Sequence, residues 1–163
     1  MSLTKKQSGF TLIEIMITLI IVSIGLLGMA SLQMNSLRSN QGAYLRSQAS
    51  MLSYDMADRM RANSARAIAG DYNGFDTDGT VPADPGCMSS ATGCSAAQQA
   101  NTDMFEWASR VNGTGAGIAL LPGAQGTITR GAGNLFTILI DWTETGDTTN
   151  ATANTTFSLN FGL

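Results

Sequence analysis

A single carboxylate, Glu14, stands four residues beyond a Gly9-Phe10 step. It lies inside a run, residues 10–32, that is otherwise almost wholly apolar. An ionised side chain at the centre of a membrane helix costs roughly 2.5–3.5 kcal/mol on insertion scales, and less near the edge, where Glu14 stands. Nothing else within the run pairs with it. A partner arises if the peptide bond after Gly9 is cut. Phe10 then carries a free ammonium about one helical turn from Glu14, or within reach of Glu14 on a neighbouring molecule. Two charges that pair in lipid relieve each other's penalty and fix the axial register between adjacent helices.

Other chemistries are poorly served. The chain has no His, so the commonest general base and metal ligand is missing. No Ser or Cys nucleophile is set beside a base, and the acids are scattered through loop-like sequence, so no enzymatic activity is expected. Asp71, Asn73, Asp76, Asp78 and Asp84 are close in sequence, and Asp76-Thr77-Asp78-Gly79 resembles part of an oxygen-ligand loop. The order departs from the EF-hand pattern and no Glu closes it. A polar, turn-rich loop is the better reading, with no metal and no cofactor. Gly113-Thr114-Gly115-Ala116-Gly117 has no preceding strand and no following Lys, so it reads as a connector and not a phosphate loop. Cys87 and Cys94 have six residues between them. That is too wide for a redox C-x-x-C, and no second pair exists for zinc. In a secreted domain they read as one small disulfide ring.

The elements that must position these residues follow from periodicity. Residues 10–32 are long enough to span a bilayer core as a helix. Lys5 and Lys6 precede them, so the N-terminal end is expected to stay cytoplasmic. The run exceeds the apolar region of an ordinary signal peptide. Beyond it, Leu45, Ala49, Leu52, Met56 and Met60 form one helical stripe, with polar residues on the other faces. Gly70 and Asp71-Tyr72-Asn73-Gly74 read as the stop. One helix over residues 10–69 is expected, apolar all round at first and amphipathic later, about 90 Å long. Gly25, Gly28, Ser31 and Gly42 either let neighbouring helices approach closely or weaken the helix locally. Arg59, Arg61 and Arg66 make a mild basic cluster. It reads as a solvated face balanced by Asp55 and Asp58, or else as a contact with an acidic partner subunit.

Residues 70–97 read as a long loop. Residues 96–111 read as a short helix, with Ala97, Ala100, Met104, Trp107 and Val111 on one face and Trp107 as a core anchor. Three strands are expected, at residues 126–130, 135–143 and 155–161, with a turn at residues 131–134 and an exposed link over residues 145–154. Their short connections imply an antiparallel meander with one face on the helix stripe. The fold class is therefore α+β. Net charge is −3, which disfavours nucleic acid as a partner. Charged residues make up 13% of the chain, against about a quarter usually. The deficit is made up by the apolar run and by a Thr-, Ser-, Asn-, Ala- and Gly-rich C-terminal half that suits an extracellular surface.

Gly9-Phe10-Thr11-Leu12-Ile13-Glu14 resembles the class III signal of type IV pilins and pseudopilins. The resemblance implies cleavage after Gly9 by a prepilin peptidase, N-methylation of Phe10, and an assembly role for Glu14. It also implies the type IV pilin fold, a long N-terminal helix packed on a small antiparallel sheet. The division expected is a leader over residues 1–9, a transmembrane and assembly helix over 10–32, an amphipathic helix packed on the head over 33–69, and a periplasmic head over 70–163. A narrower likeness lies in Ile24-Gly25-Leu26-Leu27-Gly28, Leu32-Gln33, Ser36-Leu37-Arg38, Asn40-Gln41 and, above all, Asp55-Met56-Ala57-Asp58-Arg59-Met60-Arg61-Ala62-Asn63. These strings are similar to the PilV, or type IV pilus modification, family of minor pilins. More sparsely, Trp107, Leu120-Leu121-Pro122-Gly123 and Ile140-Asp141-Trp142-Thr143-Glu144 extend it. That likeness implies a priming complex at the pilus tip. Its partners would be other minor pilins, the major pilin, the inner-membrane assembly platform and in some cases a large adhesin. A type II secretion pseudopilin, which shares residues 10–32 almost completely, and a major shaft pilin stand as alternatives.

Overall fold

The computed structural model describes residues 9–115, 117–144 and 153–163. The expected leader up to residue 8, with Lys5 and Lys6, lies outside the described residues, as does most of the expected link, residues 145–152. The elements run α1 (Leu12–Ala62), α2 (Ser64–Ala69), β1 (Phe75–Asp76), α3 (Ala96–Val111), β2 (Gln125–Arg130), β3 (Leu135–Glu144) and β4 (Ala153–Gly162), with short 3-10 turns at Cys87–Ser89 and Ala132–Asn134. Contacts divide the chain into a unit that ends at Gln41 and a second unit, Gly42–Leu163.

The first unit holds the apolar half of α1. Its described residues are all exposed in the isolated chain, and α1 is long and apolar enough to cross a membrane. Two hydroxyls inside the apolar run are satisfied locally. Thr18 Oγ1 donates to the Ile15 carbonyl at 2.8 Å and Ser23 Oγ to that of Leu19 at 2.7 Å. Neither therefore asks for water within a bilayer.

The second unit holds the core. The expected stripe is buried as read: Leu45, Ala49, Leu52, Met56 and Met60, joined by Ser53 and Ala57. It faces the inner side of a four-stranded antiparallel sheet of order β1-β2-β3-β4. Ile128 pairs Ile138, which pairs Leu159, and Phe136 pairs Phe161. Alternation in β3 buries Phe136, Ile138, Ile140 and Trp142. Strict alternation gives one dry and one polar face, which is why the three longer strands were legible.

Three differences from the sequence reading have physical causes. The expected single helix over residues 10–69 starts at Leu12 and breaks at Asn63, whose φ of −113° and ψ of 41° leave the helical region. Its side chain is drawn away instead. Asn63 Nδ2 donates to the Ala96 carbonyl at 2.8 Å and to Tyr72 Oη at 3.1 Å. The expected end holds, with Gly70 in the left-handed conformation at φ 104° that a C-terminal Gly adopts at little cost. The sheet has four strands and not three, because residues 75–76 inside the expected loop pair with Ile128 and Thr127. Two residues are too few to show a period. Phe75 is held by its packing on Trp107, with ring centroids 6.1 Å apart. The third difference is Ala97, expected on the inner face of α3 but exposed. Ala100, Met104, Trp107 and Val111 are buried as expected.

Candidate processing and assembly site

Gly9 and Phe10 precede the first turn of α1 in non-helical backbone, and both are exposed. An exposed Gly-Phe step outside regular structure gives a protease access to the main-chain carbonyl. Thr11 caps the helix. Its Oγ1 accepts from the Glu14 N–H at 3.4 Å and its carbonyl accepts from the Ile15 N–H at 3.3 Å. Thr-x-x-Glu is the spacing of a capping box. Glu14 thus sits at the third helical position, where the helix dipole favours a carboxylate. No cation pairs with Glu14 among the described residues.

In the second unit the polar residues are spent on joining elements. Asp103 of α3 is 2% exposed. It accepts from Tyr72 Oη at 2.7 Å, from Gln99 Nε2 at 2.9 Å and from Arg59 Nη1 at 3.3 Å. Arg59 also binds Glu106 at 2.8 Å and Asp55 at 3.1 Å, and Arg110 reaches Asp55 at 3.2 Å. Burial opposes the Arg59 charge, but the bond to Glu106 and the nearby acids outweigh it and raise its pKa. Burial, and then the bond to Asp103, also raises the Tyr72 phenol above its ordinary value. The guanidinium of Arg59 is therefore committed to its own domain. Arg61 pairs with Asp58 at 2.7 Å and lies over the Phe161 ring, and Arg66 pairs with Asp71 at 2.6 Å. Both remain partly exposed. A cavity of about 360 Å³ beside this cluster is lined by Arg59, Ala62, Asn63, Cys94, Ala96, Gln99 and Asp103.

The loop acids have local partners. Asp76 accepts from Gln125 Nε2 at 3.0 Å and from the Asp78 N–H at 2.9 Å. Asp78 accepts from Asn112 Nδ2 at 3.1 Å, and Asp84 accepts from the Gly86 N–H at 2.9 Å. Asn73 Oδ1 accepts from the Arg130 N–H at 2.8 Å. Cys87 and Cys94 form the expected disulfide. It closes a ring next to Ser95, which caps α3 in a full capping box with Gln98. Sequence reasoning missed Tyr72 and Asp103. Their only advance signal was a Tyr and an Asp beside apolar positions, and that pattern is common.

Residues 4–30 match the model of the prokaryotic N-terminal methylation motif, and residues 31–105 match that of the Tt1218-like type IV pilins. This chain is a type IV pilin. Neither a curated protein nor a solved structure matched it. Type IV pilins are structural, and this pilin is not an enzyme. Its methylation motif implies processing by a prepilin peptidase and assembly with other pilins, and its apolar helix fits anchoring in the inner membrane. The second match takes in the string of residues 55–63, whose roles in the pilin are now visible. Met56, Ala57 and Met60 fill the core, Arg59 ties α1 to α3, and Asn63 breaks the helix.

Proposed function

We propose that this pilin is a minor subunit that primes type IV pilus assembly from a tip complex, in the manner of the PilV family. It waits in the inner membrane as a single-span protein, N-terminus cytoplasmic and head periplasmic. A prepilin peptidase cuts after Gly9 and the new Phe10 amine is methylated. Glu14 then registers against the N-terminus of a neighbouring pilin as the helix leaves lipid for the filament. The exposed Gly9-Phe10 step followed by Glu14 in the first helical turn, with no cation partner among the described residues, is the observation that carries this reading. The PilV-like string at residues 55–63 supports the minor-pilin role, and the disulfide suits a periplasmic head. Partners are other minor pilins, the major pilin, the assembly platform and a tip adhesin where one exists. Adhesion, motility and DNA uptake then depend on it indirectly.

The test is deletion of the gene, with pili counted while retraction is either allowed or blocked. An initiator gives few pili that reappear when retraction is blocked. A shaft subunit gives none in either background, and a secretion pseudopilin leaves pili intact while secretion fails. Either of the last two results overturns the proposal.

A further inference from the structure

The two edges of the sheet differ. The order β1-β2-β3-β4 leaves β1 and β4 outermost. β1 is two residues long and carries Asp76, a short and charged edge of the kind that resists further pairing. β4 runs ten residues, Ala153–Gly162. Its register with β3 continues from Glu144↔Ala153 to Leu135↔Gly162 without a bulge. No Pro and no charged side chain occurs in residues 148–163. The β4 edge thus lacks the Pro, the charge and the bulge that keep edge strands from pairing.

The hydrogen bonds show which groups this edge offers. The Leu163 N–H donates to the Asn134 carbonyl at 3.3 Å, and the Gly131 N–H to the Leu135 carbonyl at 2.7 Å. Even-numbered positions along β3 therefore bond β4, and odd-numbered ones bond β2. By antiparallel alternation the main-chain N–H and C=O of Asn154, Thr156, Ser158, Asn160 and Gly162 point away from β3. No other strand pairs with them among the described residues. Asn154, Thr156, Ser158 and Asn160 are exposed, while Phe157 and Leu159 between them pack on the core and are only partly buried. Alternating N–H and C=O groups beside half-covered apolar side chains fit one kind of occupant. It is an extended backbone with apolar residues at every second position.

A second copy of the chain fits poorly. Two β4 edges join antiparallel about a two-fold perpendicular to the sheet. In the second unit the α1 stripe packs along the sheet face, so that two-fold reverses the direction of the helix. Copies of a single-span protein all enter the membrane in one sense. The opposite edge of a further copy offers only the two residues of β1. We infer that the outer edge of β4 takes up an extended, uncharged segment of a different protein as a fifth strand. The inference rests on the reading of the chain as a pilin that assembles with other proteins of the pilus, and it assigns one such contact to the head. The segment must be uncharged along the contact, because a carboxylate or ammonium set against Phe157 and Leu159 is desolvated without a partner.

A photo-crosslinking phenylalanine analogue at Thr156 or Asn160, in the full-length chain in its own membrane, tests this. Both positions are expected to give adducts with one protein other than this chain. Mass spectrometry should place the link in a run of about five or more uncharged residues, the length of an ordinary strand. The analogue at Met88, exposed on the disulfide ring, should give at least about tenfold less adduct. Ser158→Pro removes one outward N–H and leaves the bonds to β3. With a circular dichroism melt close to wild type, it should cut the Asn160 adduct at least about tenfold. Ser158→Ala keeps that N–H and should leave the yield unchanged. Amide exchange needs no variant. Residues 154–162 should exchange at least about tenfold more slowly in the captured complex than in the chain alone. Adducts only with a second copy, equal yields from Ser158→Pro and Ser158→Ala, or unchanged exchange each overturn the inference. The underlying reading fails separately. If the adducts form as expected and deletion of the gene leaves pili intact, the docking edge stands and the pilus role falls. If pili depend on the chain and no adduct forms, the pilus role stands and the docking edge falls.

Discussion

Tyr72 and Gly126 show how much single residues decide here. The folded Tyr72 phenol, buried and bonded to Asp103, holds its proton to higher pH than an unfolded Tyr, whose pKa is about 10. Its contribution to stability is complete below about pH 10 and is lost as pH rises above that value. A melting series of the detergent-solubilised chain should therefore show a loss of stability above about pH 10 that is blunted in Tyr72→Phe. An unchanged alkaline slope in the variant would remove Tyr72 as its source. Gly126 sits in β2 with the Trp107 ring where a side chain would be. A Cβ there would lie 2.5 Å from Trp107 Cη2. The indole is pinned, because Nε1 donates to the Leu52 carbonyl at 3.0 Å. Gly126→Val should destabilise the fold by about 1–3 kcal/mol through overpacking, read as a lower denaturant midpoint. A midpoint equal to wild type would mean the ring can move. The sequence marked Trp107 as a core anchor, but nothing local to Gly126 shows that it is the floor beneath it.

Among the elements, α3 was the most legible, since its bounds are those the sequence predicted. Apolar residues at 3.6-residue spacing report a face, and the structure adds a capping box of Ser95 with Gln98 at the start. The disulfide and this cap act at the same place. Cys94 immediately precedes Ser95, and Asn63 reaches the Ala96 carbonyl from the end of α1. Ser95→Ala should cost about 1 kcal/mol, and joint replacement of Cys87 and Cys94 by Ala about 2.5 kcal/mol for so small a ring. Because the two changes meet at one helix start, the triple variant should lose less or more than their sum. Chemical denaturation of the variants measures this, and strict additivity would show that the ring and the cap act independently. The helix break at Asn63 was not legible. The residue has ordinary spacing in a helical pattern, and it leaves that pattern only because Tyr72 and Ala96 are there to bind it.

For the whole molecule, the predictions concern maturation and assembly. Gly9→Val places a branched side chain at the proposed scissile step and should leave the chain at precursor size on a denaturing gel. Normal mature protein from this variant would refute cleavage after Gly9. Glu14→Ala removes a desolvation cost in the monomer, so membrane insertion should persist. Incorporation with other pilins should fall, because under the proposed pairing the Phe10 amine is left without its partner. Membrane fractionation separates these outcomes from pull-down yield and pilus count, and full incorporation of Glu14→Ala would reject the pairing. The first turn adds a smaller effect. Glu14 at the third helical position also favours the helix start by about 0.3–1 kcal/mol, so the variant should fray slightly at Thr11.

The sequence alone determined what depends on local period and composition. It set the membrane-length run with its one acid, the buried stripe of α1, the alternation of β2, β3 and β4, and the Cys pair. Each of these is a property of neighbouring residues and can be read in a short window. Tertiary structure decided what depends on residues far apart. Arg59 and Asp103 are 44 positions apart, and Tyr72 and Asp103 are 31 apart. Their bonds, the two-residue strand β1, and the fit of Trp107 over Gly126 exist only once the helices and sheet have met. No periodicity announces them, because the free energy that holds them comes from excluding water around groups the chain brings together last.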